Sequence, residues 1–136
     1  MDKQIIRNMR QSIKEQLENL SSLKFQRKVW IANSLPGIWW DWSDAVCGYF
    51  DDLRMSKSDK APKSGLIYHV NDGILTKAEA NIIEPFNDLF DSFVDKYPAF
   101  PTIEEYEKIL NDPQWIKITK FAVKILKKIN FDKLPS

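Results

Sequence analysis

The chain has one cysteine, Cys47, and one histidine, His69, which are the natural candidates for nucleophilic chemistry. A thiol becomes a good nucleophile when a positioned base or a positive field deprotonates it. Cys47 lies at the edge of an apolar helical face, where a buried and inert thiol is the commoner outcome. His69 precedes a turn, and we expect it to be partly exposed and non-catalytic. A small enzyme using Cys47 and His69 is therefore an alternative interpretation.

Carboxylates form the second group of residues that could carry out chemistry. Asp41 and Asp44 lie close together in the sequence, and a carboxylate pair can carry out hydrolysis, which is the second enzymatic alternative. A longer acidic row has helical spacing, opposite an apolar face, and consists of Glu84, Asp88, Asp91 and Asp95. Such a row is typical of a solvated helix face or of a surface that attracts a cationic partner.

Metal, cofactor and nucleic-acid chemistry find little support in the sequence. One histidine and one cysteine cannot build a Cys/His zinc site, no Glu-x-x-His motif occurs, and the four glycines do not form a phosphate-binding loop. The last predicted helix is rich in lysine, but residues 71–107 carry a net charge of −7, which would repel phosphate. We predict no metal, no cofactor and no catalytic residue, and we do not expect direct nucleic-acid binding.

Three of the five tryptophans lie between residues 39 and 42, interleaved with carboxylates. Pro36-Gly37 breaks the chain just before them, so residues 38–42 should form an irregular loop. A loop cannot easily bury three indoles. Either Trp42 and one neighbour are core residues and the third indole covers the rim of the core, or Trp39 or Trp40 is partly exposed as an anchor for a partner. Together with the acidic row, this stretch predicts a partner-binding surface made of Trp39, Trp40, Asp41, Asp44, Glu84, Asp88, Asp91 and Asp95.

The spacing of apolar residues predicts an all-α fold. Thr76 and Thr102 each precede a glutamate by three residues and should open helices as capping boxes. Residues 56–65 are polar and aperiodic, which is typical of a mobile loop, and residues 66–70 should form a short extended piece. We predict one domain over residues 1–136 with five to six helices, located near 2–20, 23–34, 43–55, 77–97, 103–110 and 113–129.

Composition favours an ordinary soluble protein. Hydrophobic residues make up 43% of the chain, charged residues 29%, and the net charge is +1. No apolar run approaches the roughly 20 residues of a membrane span, and the N-terminus lacks a secretory pattern. A single cysteine suits a reducing compartment. These features predict a cytoplasmic protein without membrane contact.

The order of motifs along the chain carries a resemblance to known proteins. The tryptophan-rich turn leads into Tyr49-Phe50-Asp51-Asp52-Leu53, a later helix contains Phe86-Asn87-Asp88-Leu89-Phe90, and Asn111-Asp112-Pro113-Gln114-Trp115 opens the last helix. This order resembles small bacterial helical proteins of unassigned function, some of which are similar to immunity proteins of polymorphic toxin systems, over about residues 25–130. The resemblance implies a cytoplasmic protein that binds a cognate toxin domain and blocks its active site. Many such toxins are basic nucleases, whose phosphate-binding clefts an acidic surface could mimic.

We therefore interpret the sequence as a protein-binding inhibitor, with a cationic toxin domain as the expected kind of partner. The basic last helix does not follow the pattern that the resemblance implies. Besides the two enzymatic alternatives, a structural or regulatory oligomer remains open, in which exposed tryptophans pack on a second copy. The sequence does not determine the oligomeric state.

Overall fold

The computed structural model describes residues 2–135, in which the chain forms seven α-helices and no β-strand. The α-helices are α1 (Lys3–Leu20), α2 (Leu23–Arg27), α3 (Trp42–Cys47), α4 (Leu66–Asn71), α5 (Lys77–Phe93), α6 (Ile103–Asn111) and α7 (Pro113–Lys128). Helices α2 and α3 each continue as a π-helical turn, over Lys28–Ala32 and Gly48–Asp52, and a 3₁₀ turn, Val94–Lys96, follows α5.

The predicted all-α class is confirmed, but the count of five to six helices is wrong by one. The additional helix is α4, which replaces the extended piece that we expected at residues 66–70. Leu66 and His69 are both buried, and their spacing of three residues fits one helical face. A run of five mostly apolar residues does not distinguish a strand from a helix turn by periodicity. None of the helices in residues 2–135 has the length and apolar character to cross a membrane.

Side chains cap most of the helix starts. The predicted capping boxes at Thr76 and Thr102 are both present, with Glu79 and Glu105 as their reciprocal acceptors. Asp112 caps α7 by accepting a hydrogen bond from the backbone N–H of Gln114 at 2.9 Å, one residue ahead of Pro113. Each cap satisfies a backbone donor that would otherwise lack a partner in the first helical turn.

Helix α7 packs against both α1 and α5, and aromatic rings fill the core between α3, α5 and α7. Trp42 is 1% exposed, and its ring lies 5.2 Å from that of Trp115 and 5.9 Å from that of Phe93, in edge-to-face contacts. Such pairs add to the stabilisation that comes from burying the rings. From the apolar spacing we expected Val29, Val46 and Leu89 in the core as well, but these three side chains are only half-buried.

A buried arginine joins three distant parts of the chain. Arg10 on α1 is 1% exposed, and its side chain donates five hydrogen bonds. Two of them go to the carboxylate of Glu79 on α5, each at 2.9 Å. The other three go to backbone carbonyl oxygens, those of Ile74, Asn130 and Phe131. Every guanidinium donor is therefore satisfied, as a buried cation requires.

Residues 56–65 have no helix or named strand, but they are more tightly packed than we expected of a mobile polar loop. Ala61 and Ser64 are 2% and 4% exposed, and the backbone N–H of Gly65 donates to the carbonyl of Met55 at 3.2 Å. A Cβ atom at Gly65 would lie 1.7 Å from the carbonyl oxygen of Arg54, so only glycine allows the two backbone segments to approach so closely. The segment is therefore held at its C-terminal end by close backbone packing.

Candidate partner-binding site

The three neighbouring tryptophans take three different positions at the start of α3. Trp42 is buried, Trp40 is half-buried and Trp39 is 89% exposed. The ring of Trp40 stacks on Trp30 with centroids 5.5 Å apart, and the Trp30 indole N–H donates to the carbonyl of Trp40 at 2.9 Å. Of the two anchors that we predicted, Trp39 is therefore exposed, while Trp40 packs on Trp30 and holds the loop in place.

Asp41 and Asp44 cap α3 reciprocally. Asp41 Oδ1 accepts from the backbone N–H of Asp44 at 2.7 Å, and Asp44 Oδ2 accepts from the backbone N–H of Asp41 at 3.1 Å. Burial raises the pKa of the Tyr106 phenol, and the negative charges of Asp41 and Asp44 raise it further. The phenol oxygen accepts a hydrogen bond from the backbone N–H of Trp42, which lowers the pKa but does not reverse the shift. The two carboxylates thus have a structural role and also give this end of the molecule a negative field.

Other side chains engage two of the four acidic residues of the α5 row. Glu84 accepts a hydrogen bond from the Ser64 hydroxyl at 2.8 Å, and Asp91 forms an ion pair with Lys57 at 3.4 Å. Asp88 is exposed. Only Asp95, just beyond α5, borders α3, where it lines a shallow hollow with Ser43 and Cys47. At a helical rise of 1.5 Å per residue, Glu84 lies roughly 16 Å from Asp95 along the helix axis.

The candidate site that the structure supports is therefore smaller than the predicted surface. We call it the α3 entry surface and define it by Trp39, Asp41, Asp44 and Asp95. Glu84 and Asp91 contact side chains of the segment 56–65, and Asp88 is exposed on α5 between them.

Two exposed hydrophobic residues near this surface were missed in the sequence. Phe100 is 77% exposed and Ile103 is 63% exposed. Phe100 lies in the corner between Pro98 and Pro101. Ile103 is the first residue of the predicted helix 103–110, and its spacing from Tyr106 and Leu110 is that of one apolar helix face, so its exposure was not expected. The available signal was an aromatic residue between two prolines, Pro98 and Pro101, because so short a loop has few neighbours that could bury the ring.

The structure does not support the pairing of Cys47 with His69. Cys47 is exposed rather than buried, and its Sγ lies 3.8 Å from the Ser43 hydroxyl. His69 is 2% exposed rather than partly exposed, and its Nε2 is 2.7 Å from the carbonyl oxygen of Leu53, a distance at which it donates a hydrogen bond. The two side chains have different neighbours, and both expectations about their exposure were wrong. Within residues 2–135, no group of three or more His, Cys, Asp or Glu side chains is arranged to hold a metal ion.

The buried His69 makes stability depend on pH. Burial lowers the pKa of His69 below its ordinary value of 6.5, more than its hydrogen bond to the Leu53 carbonyl raises it. The unfolded chain therefore binds a proton that the folded chain excludes, and we expect the free energy of unfolding to fall as the pH drops below about 6.5. Urea titrations between pH 7.5 and 5 measure this slope.

The His69→Gln variant provides the control, because His69 is the single histidine of the chain. The variant should show a flatter pH dependence over the same range. An equal slope in both proteins would show that the titration of His69 is not coupled to folding.

No protein-family model, no curated protein and no solved structure matches this chain. Its distinguishing feature is an exposed indole, Trp39, beside the carboxylates at the start of α3 in an all-α fold.

Proposed function

We propose that this protein is a protein-binding inhibitor of the bacterial immunity type, which acts in the cytoplasm and blocks a toxin domain through the α3 entry surface. The observation that carries the proposal is the 89% exposure of Trp39. Tryptophan is enriched among the residues that dominate binding energy at protein interfaces. An indole left in water on an otherwise well-packed domain supports a role in contact with another molecule.

The residues next to Trp39 are fixed before any partner arrives. Trp40 stacks on Trp30, the Asp41–Asp44 capping box closes the start of α3, and Trp42 is inserted in the core. A partner therefore does not have to order this loop when it binds. Preorganisation of this kind raises affinity because less conformational entropy is lost on association.

Charge supports a cationic partner. Asp41 and Asp44 belong to the α3 entry surface, and residues 38–50 contain no lysine or arginine. Asp95 adds a further exposed carboxylate from the end of α5. A surface of one sign attracts an oppositely charged protein and increases the rate of encounter, while the apolar contact at Trp39 slows dissociation.

Replacing Trp39 by alanine should weaken binding to the partner about 30-fold or more, the loss expected for an interface hot spot of about 2 kcal/mol. The partner is first captured from the source cells with the tagged protein and then produced alone. Growth of cells that express the partner with and without this protein measures protection, and calorimetry measures affinity.

The matched control is Ile67→Ala, which removes another exposed hydrophobic side chain, 47% exposed on α4. We expect it to retain both affinity and protection. The proposal fails if the captured partner has no activity that this protein suppresses. It also fails if Trp39→Ala protects cells as well as the unchanged protein does.

A further inference from the structure

We infer that the α3 entry surface extends over Phe100 and Ile103, and that this enlarged surface binds a protein whose apolar centre is surrounded by lysine and arginine. The inference rests on the proposed function, and it adds a second chain segment and the chemistry of the partner. We call the enlarged apolar region the apolar patch and define it by Ile38, Trp39, Phe100 and Ile103.

Contacts near the start of α3 bring the two segments of the apolar patch to the same end of the molecule. Ala99, the neighbour of Phe100, lines the hollow that also contains Ser43 and Asp95. Ile103 lies one helical turn before Tyr106, and the Tyr106 hydroxyl oxygen accepts the backbone N–H of Trp42 at 2.9 Å. The ring of Tyr106 also stacks on Trp30, which stacks on Trp40 in turn. Both segments therefore adjoin the first turn of α3.

Exposure of this kind is concentrated at this end of the molecule. Within residues 2–135, six large hydrophobic side chains are exposed, and four of them belong to the apolar patch. Trp39 and Phe100 are the most exposed of the six, at 89% and 77%. Scattered single hydrophobic residues need no explanation, whereas a group rimmed by polar residues marks an interaction site.

Carboxylates lie beside both segments of the apolar patch. Asp41, Asp44 and Asp95 lie at the start of α3, and Glu104 is exposed beside Ile103. Residues 97–107 contain no lysine or arginine. Lys96 forms an ion pair with Asp112 at 2.7 Å, which holds its charge against the start of α7. The rim therefore complements a basic partner.

The same charge distribution disfavours a second copy of this chain as the occupant. A two-fold symmetric contact through the apolar patch places each surface patch opposite itself. Asp41, Asp44 and Glu104 of one copy would then approach the same carboxylates of the other. Like charges brought together at an interface destabilise it, whereas a basic rim gains from the same arrangement.

The test uses two synthetic peptides that share one apolar sequence and differ only in their flanks, which are lysine and arginine in one and glutamate in the other. Calorimetric titrations at low and high salt compare their affinities for the intact protein. The decisive variant is Phe100→Ala with Ile103→Ala, and its control is Ile5→Ala with Ile67→Ala, two exposed hydrophobic residues on α1 and α4. Sedimentation of the unchanged protein reports its oligomeric state.

We expect the basic peptide to bind at least tenfold more tightly than the acidic one. High salt should weaken the binding of the basic peptide, because exposed charges are screened. The Phe100→Ala and Ile103→Ala variant should lose at least tenfold in affinity for the basic peptide, and the control pair should retain it. Equal affinities of the two peptides, no binding of the basic peptide, or no effect of the double variant would overturn the inference. A dimer that dissociates in the double variant would assign the apolar patch to a second copy and also overturn it.

Growth protection separates this inference from the proposed function. If protection requires Trp39 but not Phe100 and Ile103, the enlarged surface is wrong and the inhibitor function stands. If the basic peptide binds as expected but no captured partner is inhibited, the surface stands and the inhibitor function is wrong.

Discussion

Replacement of Arg10 by methionine should lower the free energy of unfolding by about 3–5 kcal/mol, the cost of removing one partner from a buried ion pair. Glu79 would keep its place beside Ile74 and the C-terminal segment but would lose two charge-assisted hydrogen bonds. The carbonyl oxygens of Ile74, Asn130 and Phe131 would also lose their donor. Urea unfolding at pH 7 measures the difference.

The Arg10→Lys variant should recover only part of this loss, because an ammonium group has three donors and no planar fork. The matched control is Lys14→Met, which removes the exposed ion pair of Lys14 with Asp132 on the same helix. Exposed pairs contribute roughly 0–1 kcal/mol, so this control should stay near the stability of the unchanged protein. Equal effects of Arg10→Met and Lys14→Met would contradict the structural role of Arg10.

Acid should reduce the difference between the unchanged protein and Arg10→Met. Burial raises the pKa of Glu79, but hydrogen bonds from Arg10 and Thr76 outweigh it, and the pKa lies below the ordinary value of 4.5. The ionised Glu79 therefore stabilises the fold above about pH 4.5, and this contribution is lost as the pH falls through the lowered pKa. Unfolding titrations between pH 7 and pH 3 test the sign.

Trp42→Ala should also lower the free energy of unfolding by about 3–5 kcal/mol, as expected when a large buried ring is removed from a core. The cavity would lie between Trp30, Phe90, Phe93 and Trp115, whose rings all contact Trp42. Because these neighbours are anchored in three different helical segments, they cannot collapse fully into the space. Thermal and urea unfolding of the purified variant measure the loss.

The neighbouring Trp39→Ala supplies a control of the same residue type in the same loop. Trp39 is 89% exposed, so its removal should change stability by no more than about 0.5 kcal/mol. Trp42→Ala should therefore lower stability, whereas Trp39→Ala should weaken partner binding and leave stability nearly unchanged. Similar losses of stability in both would show that the exposed and buried positions are wrongly assigned.

Local sequence signals predicted the helix starts well. Thr76, Thr102 and Asp112 act as caps because each cap depends on residues within three positions of it. The all-α class followed from long apolar stripes for the same reason. Helix α4 was missed because a run of five residues is too short to show a helical period. Its conformation depends on the burial of Leu66 and His69 by distant segments.

The candidate site was harder to predict because contacts between distant residues determine it. The loop before α3 has no periodicity, and Trp40 is half-buried because Trp30, ten positions earlier, binds its carbonyl and stacks on its ring. The α5 row shares a helix face, but Ser64 and Lys57 engage Glu84 and Asp91. Phe100 and Ile103 lack any local pattern that indicates their place beside α3.

The arrangement of the tryptophans provides an optical reporter. The rings of Trp30, Trp40, Trp42 and Trp115 lie within 5.2–6.3 Å of a neighbouring indole, so they are close enough for their electronic transitions to couple. Trp39 stands in water, outside this cluster. Its fluorescence should therefore form a separate long-wavelength component, and any molecule that covers Trp39 would shift that component to shorter wavelength while the circular dichroism of the cluster stays unchanged.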